Sequence, residues 1–286
     1  MKVLKNGWIN GLIGVVIFAG SLPATRVAIA DFTPIFLTSA RATIAGVFGL
    51  ALLLLFRQPH PQKKEIPSLV VTAIGVVIGF PLLTAFALQS VTSAHSIVFL
   101  GLLPICTAIF AVIRGGERPK PYFWLFALAG ASFVAGYAAT GDMGVSWKGD
   151  ILMLIAIILC GLGYAEGAKL SRNLGGWQVI SWSLVLSLPP MLFLTLFTMP
   201  ASFHAISTSA WIALGYVSFF SMLLGFVFWY RGLAQGGIAA VGQLQLFQPF
   251  IGLALAGWLL HETVSWTMLV VTLAAVLCVV GAKNYA

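Results

Sequence analysis

The chain has 286 residues, 60% of them hydrophobic and 8% charged, and its mean hydropathy is +1.04. Soluble domains average about 45–50% apolar and about 25% charged residues, so this composition excludes a water-soluble globule. The formal net charge of +8 has no basic stripe behind it, which argues against a nucleic-acid partner; the cations cluster at the ends of apolar runs, where they orient a membrane protein.

A helix crossing the hydrocarbon needs about 20 apolar residues. Ten runs qualify in chain order: 7–29, 33–56, 67–89, 93–113, 121–140, 149–171, 177–198, 208–231, 236–260 and 264–282. Lys2, Lys5 and Ala28-Ile29-Ala30 imitate a cleaved leader around the first run. The gap to the cleavage-like site is too long and holds Arg26, so this run is expected to stay as a span. The linkers carry turn residues, as in Gln58-Pro59-His60-Pro61, Gly115-Gly116, Gly141-Asp142, Gly175-Gly176 and Gly236-Gly237. Ten spans leave both termini on one side. Twelve Lys and Arg fall there, from Lys2 to Lys283, against Lys148 alone on the other side. Because cytoplasmic loops carry the excess of Lys and Arg, both termini are expected in the cytoplasm of a bacterium, the protein lying in its inner (plasma) membrane. Trp8, Trp147, Trp177, Trp211 and Trp266 sit near run ends, as interfacial belts require.

Displacing the chain by 145 residues aligns Ala94, Pro104, Ala111 and Glu117 with Ala239, Pro249, Ala256 and Glu262. The correspondence continues from Leu128-Ala129 into Leu273-Ala274. The chain therefore divides into a first repeat, 1–140, and a second, 141–286, each with five spans. Five is odd, so the second must be inserted upside down relative to the first. Such pairs offer two near-equal packings around a site near the midplane. The expected fold is all-α and integral to the membrane, with ten transmembrane helices in two inverted five-helix repeats. Pro104 and Pro249 lie mid-run, where each frees a carbonyl; either a packed kink or a bend lining the pathway follows.

Charged or amide side chains at membrane depth are costly and mark sites. Arg41 lies about 12 Å into the second run at the helical rise; it either ties to Asp31 or to free carbonyls, or anchors a substrate carboxylate. Arg26, nearer a run end, can snorkel. Glu166 either pairs with Lys169 at i+3 or carries a coupling proton. Gln245 and Gln248 share one helical face at about 100° per residue, with Gln243 roughly opposite. They serve as substrate contacts or interhelical glue. His95 begins the fourth run as an interfacial histidine or a gate. Phe80, Phe99, Tyr164 and Trp229 either line an aromatic cavity or simply pack. Gly75-Gly79 and Gly232-Gly236 read as close-packing pairs. Cys106, Cys160 and Cys278 lie singly in apolar runs and form no metal or redox motif. No catalytic residue, metal or cofactor is expected, and no G-x-x-x-x-G-K-[ST] loop for ATP is present.

The segments Pro104 to Glu117 in LPICTAIFAVIRGGE and Pro249 to Glu262 in PFIGLALAGWLLHE resemble the Pro-to-Glu signature of the drug/metabolite transporter superfamily, in its ten-span branch of two EamA-type domains. Arg41 in SARATIAGVFGLALLL resembles the Arg common early in that family's second span; Ser181-Trp182-Ser183 occupies the corresponding region of the second repeat. The resemblance implies a secondary transporter, not an enzyme, that exports small metabolites such as amino acids by alternating access. The alternatives are export of drugs or toxic compounds, an enzyme acting on lipid-linked substrates, or a sensor subunit. Its partners are expected to be a small-molecule substrate and membrane lipid, the protein acting as monomer or homodimer.

Overall fold

The computed structural model describes residues 2–116, 118, 120–139, 146–283 and 285. Among them every regular element is helical. α1 joins Lys2–Ala19 to Ser21–Ala28. α2 is Pro34–Leu55, α3 Ile66–Ala87 and α4 Ser93–Gly115. α5 is Pro121–Ala139, α6 Trp147–Leu174 and α7 Gly176–Phe197. α8 is Thr208–Gly236, α9 covers 238–260 and α10 is Trp266–Lys283. Seven of these, α1–α4 and α6–α8, are long and apolar enough to cross a membrane by length and composition. Against the ten spans expected, α5, α9 and α10 contribute shorter apolar stretches, Pro121–Gly130, Leu244–Leu260 and Trp266–Cys278. Glu117 and the Gly141-Asp142 turn lie outside the described residues.

Local chemistry sets the helix ends. Thr33, Thr92, Ser146 and Ser207 each turn a side-chain oxygen to a backbone N–H three residues on, satisfying a donor the first turn leaves orphaned. Gly116, Gly175 and Gly237 follow α4, α6 and α8 with positive φ. The exterior is apolar: Phe197 is 80% and Trp266 83% exposed, a surface that water would penalise and hydrocarbon accepts.

Helices pair by backbone proximity. α1 and α8 run antiparallel, Gly7 against Gly236 and Gly11 against Gly232. α2 and α7 are antiparallel too, with Thr43 and Thr195 hydroxyls 3.1 Å apart and Gly49 on Ser181. In α5 and α10, Gly130 sits against Ala275, its own counterpart 145 residues on. α4 and α6 instead run parallel side by side, His95 beside Asp150 and Arg114 beside Glu166. A Cβ on Gly232 would stand 2.6 Å from the Gly11 nitrogen, and backbone cannot yield as a side chain does. Gly232→Val is therefore expected to cost about 1–3 kcal/mol in detergent unfolding, the usual range for overpacking. Gly215→Ala in the same helix, where nothing lies within 4 Å, should hold or gain stability.

The helices are irregular at matching places. α3 is π-helical over Ala73–Gly79 and α8 over Tyr216–Leu224; α4 has a 3-10 turn at Leu100–Leu102 and α9 at Gln243–Leu246. Pro104 and Pro249 follow those tight turns, each in the first turn of the resumed α-helix. Just ahead of each proline the helix therefore changes its hydrogen-bond register, at the place where a kink was expected.

Candidate functional site

Both irregular helix pairs converge on a small interior cavity. Its wall includes Phe18, Ser21, Arg41, Val76, Phe80, Pro81, Leu103, Tyr164, Ser221, Phe226 and Gln248. Its free volume is about 20 Å³, room for one water molecule. Three pairs of the wall stand 145 residues apart: Val76 with Ser221, Pro81 with Phe226 and Leu103 with Gln248. At two of these, an apolar residue early in the chain meets a polar one late in the chain.

Arg41, on α2, is 5% exposed. Its Nη2 donates to Ser221 Oγ at 3.4 Å, and Ser221 in turn meets Ser21 Oγ at 2.5 Å. Arg41 Nε has no hydrogen-bond partner among the described residues, and among them no carboxylate stands within ion-pair distance of this guanidinium. Asp31 does not fill that role, since its carboxylate accepts the Ser207 N–H at 2.8 Å and hydroxyl at 2.5 Å. Gln248 Nε2 reaches the Phe18 carbonyl at 3.4 Å, while Oε1 has no partner among the described residues. A buried cation and a buried amide oxygen, both incompletely satisfied, carry an energetic cost that a ligand's carboxylate and donor groups can relieve. The remaining wall is apolar, part aliphatic and part aromatic, and in it Phe18, Tyr164 and Phe226 pack with centroids 4.9–6.3 Å apart.

Of the residues singled out in the sequence, Arg41, Phe80, Tyr164 and Gln248 are brought together here. Trp229 lies one layer behind, 5.5 Å from the Tyr164 ring. Gln245 is buried but not in the wall, and among the described residues neither of its amide atoms has a hydrogen-bond partner. Phe99 packs elsewhere, 5.5 Å from the His95 ring. Glu166 stands toward the end of the bundle that holds the amino terminus. It is fully buried, and it accepts from Arg114 Nε at 2.8 Å and Ser68 Oγ at 2.5 Å. The partner expected within its own helix, Lys169, is exposed and acts on Glu166 only through its charge; the direct ion pair comes from Arg114 of α4. Arg26 donates to the Leu88 carbonyl.

Three features were not visible in the sequence. Ser21 and Ser221 join the cavity from helices 200 residues apart. Glu262 accepts from the Ser93 hydroxyl at 2.8 Å and the Ser93 and Ala94 backbone N–H groups at 3.1 and 2.7 Å. It thereby satisfies orphan donors at the start of α4. His95, read as interfacial, is 2% exposed and joins Asp150, with Nε2 2.7 Å from Oδ1; Nδ1 is 3.3 Å from the Tyr137 hydroxyl. The signal available was that His95 and Asp150 both open apolar runs at the same end.

The Asp31 tie is expected to be pH-dependent. Bonding to the Ser207 hydroxyl, and then to its amide, holds the Asp31 carboxyl below the usual carboxylate range. The contact is thus present at neutral pH and lost as pH falls through that lowered value. Hydrogen-exchange protection of the Ser207 amide should stay flat down to ordinary carboxylate pH and drop only below it. Asp31→Asn should remove the transition.

The EamA-like transporter family model matches residues 5–137 and again 147–282. The chain is 64% identical to the uncharacterized transporter YdeK of Bacillus subtilis (strain 168) over 286 residues, all of both chains. It is 22% identical to the uncharacterized transporter YyaM of the same organism, over 79% of this chain and 77% of that one. A solved crystal structure shares the fold with a TM-score of 0.71 at 18% identity, covering 98% of this chain and 97% of that one. A chain this apolar, helical and fully spanned by both comparisons is a multi-pass membrane protein, and it belongs to the EamA-like transporter family.

Proposed function

We propose that the chain is a secondary transporter of the plasma membrane that exports small carboxylate-bearing metabolites, apolar or aromatic amino acids first among them. It works by alternating access of two inverted five-helix repeats, 1–140 and 141–286, with ten spans and both termini cytoplasmic. The observation that carries this reading is Arg41, a buried cation with an unpartnered donor on a cavity bounded by aromatic rings. A single carboxylate neutralises it, the rings take the apolar body, and Gln248 Oε1, with Ser21 and Ser221, accepts from an ammonium group. The residues of the pathway are Arg41, Tyr164 and Gln248 at the cavity, with Trp229 and Gln245 behind it and Phe99 and Glu166 toward the two ends. The 3-10 turns before Pro104 and Pro249 supply the bends. Three wall pairs at a constant displacement of 145 residues favour a site on the axis relating the repeats.

The test is a flux panel in proteoliposomes with radiolabelled amino acids. It compares acids with their amides and aromatic with acidic side chains, under pH gradients of either sign. Saturable flux of monocarboxylates, lost on amidation, is the expected result. Equal flux of neutral or cationic drugs would favour export of toxic compounds and remove Arg41 as the anchor.

A further inference from the structure

We propose that the groove between α1, α8 and α9 is a membrane-side port to the central cavity, with Tyr216 as its door. It takes the alkyl or aryl body of a monocarboxylate dissolved in the bilayer. The inference rests on the transport reading for the carboxylate anchor at Arg41; the groove and its door stand on geometry of their own. The groove lies in the half of the bundle away from the amino terminus. Its free volume is about 470 Å³, against about 20 Å³ in the cavity. Pro23, Ala24 and Val27 of α1, Ile212 and Tyr216 of α8 and Leu255 of α9 form its walls. Apart from the hydroxyls of Tyr216 and of the exposed Ser209, its lining is apolar. Ile212 is 68% exposed, so the groove opens through the surface that hydrocarbon covers. Water gains little in such a space, and an apolar chain from the bilayer fills it without leaving a polar group unpaired.

The partition between groove and cavity is thin. On α1, Gly20 lines the groove and the next residue, Ser21, lines the cavity. On α8, Tyr216 lines the groove and Ser221 the cavity, both within the π-helical segment Tyr216–Leu224. Two hydroxyl contacts hold these segments together. Ser21 and Ser221 meet at 2.5 Å, and Tyr216 Oη donates to the Ile17 carbonyl at 2.6 Å. The second contact falls where α1 is interrupted at Gly20, since carbonyls at a segment end lose their helical donors. A Cβ on Gly20 would run into the Tyr216 hydroxyl, so glycine is what lets the phenol close. Parting α1 from α8 here breaks both contacts and joins the groove to the cavity beside Arg41, which itself bonds Ser221. A carboxylate entering by this route meets the guanidinium while its apolar body stays in the groove. The two spaces together hold a ligand that the cavity alone is too small to enclose.

The experiment uses the full chain in liposomes, with Cys106, Cys160 and Cys278 replaced by alanine. A bimane fluorophore is attached at Val27→Cys, in the groove, or at Phe193→Cys, an exposed position on α7. The probe is a medium-chain alkanoate brominated at its far end, since bromine quenches the fluorophore on contact. Quenching at Val27→Cys is expected to saturate and to be displaced by the unbrominated alkanoate. At Phe193→Cys it should rise linearly with probe in the bilayer. Arg41→Gln, or the methyl ester of the probe, should weaken the saturable part by about tenfold or more. Tyr216→Phe removes the tie to Ile17, and Gly20→Ala displaces it at a φ of −79° that alanine accepts. Each should tighten the apparent affinity about two- to tenfold by making the open form commoner. Linear quenching at both positions overturns the proposal. Saturable quenching indifferent to Arg41→Gln and to esterification also overturns it, leaving a lipid groove with no passage to the cavity. Unchanged affinity in both Tyr216→Phe and Gly20→Ala overturns the door. Saturable, Arg41-dependent quenching without flux in the amino-acid panel sinks the amino-acid reading and leaves the port standing.

Discussion

Arg41→Gln is expected to lower saturable flux of a carboxylate substrate by about 30-fold or more, the consequence of removing one side of a buried charge pair worth roughly 2 kcal/mol or more. The same substitution should raise, not lower, the stability of the empty protein, on the order of 1 kcal/mol. Arg41 is 5% exposed, holds one long contact with Ser221 and keeps Nε unpartnered, so it is a buried charge whose desolvation is poorly compensated. An amide retains a donor for Ser221 without that cost. Opposite signs for function and stability are the signature of a residue kept for its ligand. Thermal unfolding in detergent checks the second half: added substrate should shift the parent protein upward by mass action and leave the variant unmoved. A variant that transports normally, or that unfolds well below the parent, would return Arg41 to a structural tie.

The Glu166–Arg114 pair should respond very unequally to losing either member. Glu166 is fully enclosed, while the Arg114 side chain is 44% exposed. Arg114→Ala strands a carboxylate in the interior with Ser68 as its remaining partner, and the expected cost lies near the lower end of the about 3–5 kcal/mol typical of a broken buried pair. Glu166→Gln leaves a guanidinium that turns into water and an amide that still meets Ser68. Its cost should stay below about 1 kcal/mol, in the range of surface pairs. Combining the two should recover most of the Arg114→Ala loss. Denaturation of the four proteins in one detergent measures this coupling. Equal costs for the two single variants would mean that Lys169, three residues along the same helix, takes over when Arg114 is gone.

What could be read from one dimension was what depends on one helix at a time. Apolar run lengths located the helices, and the recurrence of Pro104 and Glu117 as Pro249 and Glu262 suggested two halves, over which the family model matches twice. Arg41 and Gln248 stood out because a polar group in an apolar run is expensive wherever that run is packed. Contacts between helices were not legible. The sequence offers Glu166 a neighbour at i+3, but Lys169 faces outward and Arg114 arrives from α4 because α4 and α6 run parallel with an offset near 52–55 residues. That same offset sets His95 beside Asp150. Glu262 was recognisable as a signature, yet its role as acceptor for the Ser93 and Ala94 amides requires that α9 end beside the start of α4. The π and 3-10 segments were likewise invisible, since no residue type demands them.

The size of the central cavity has a consequence for leakage. With free space for a single water molecule, the central cavity cannot itself hold a file of water. Admitting a metabolite requires the aromatic wall to part, and the work of parting it is subtracted from the affinity in proportion to the rarity of the widened form. On the transport reading proposed above, tight binding is thereby traded for a resting form closed around its site.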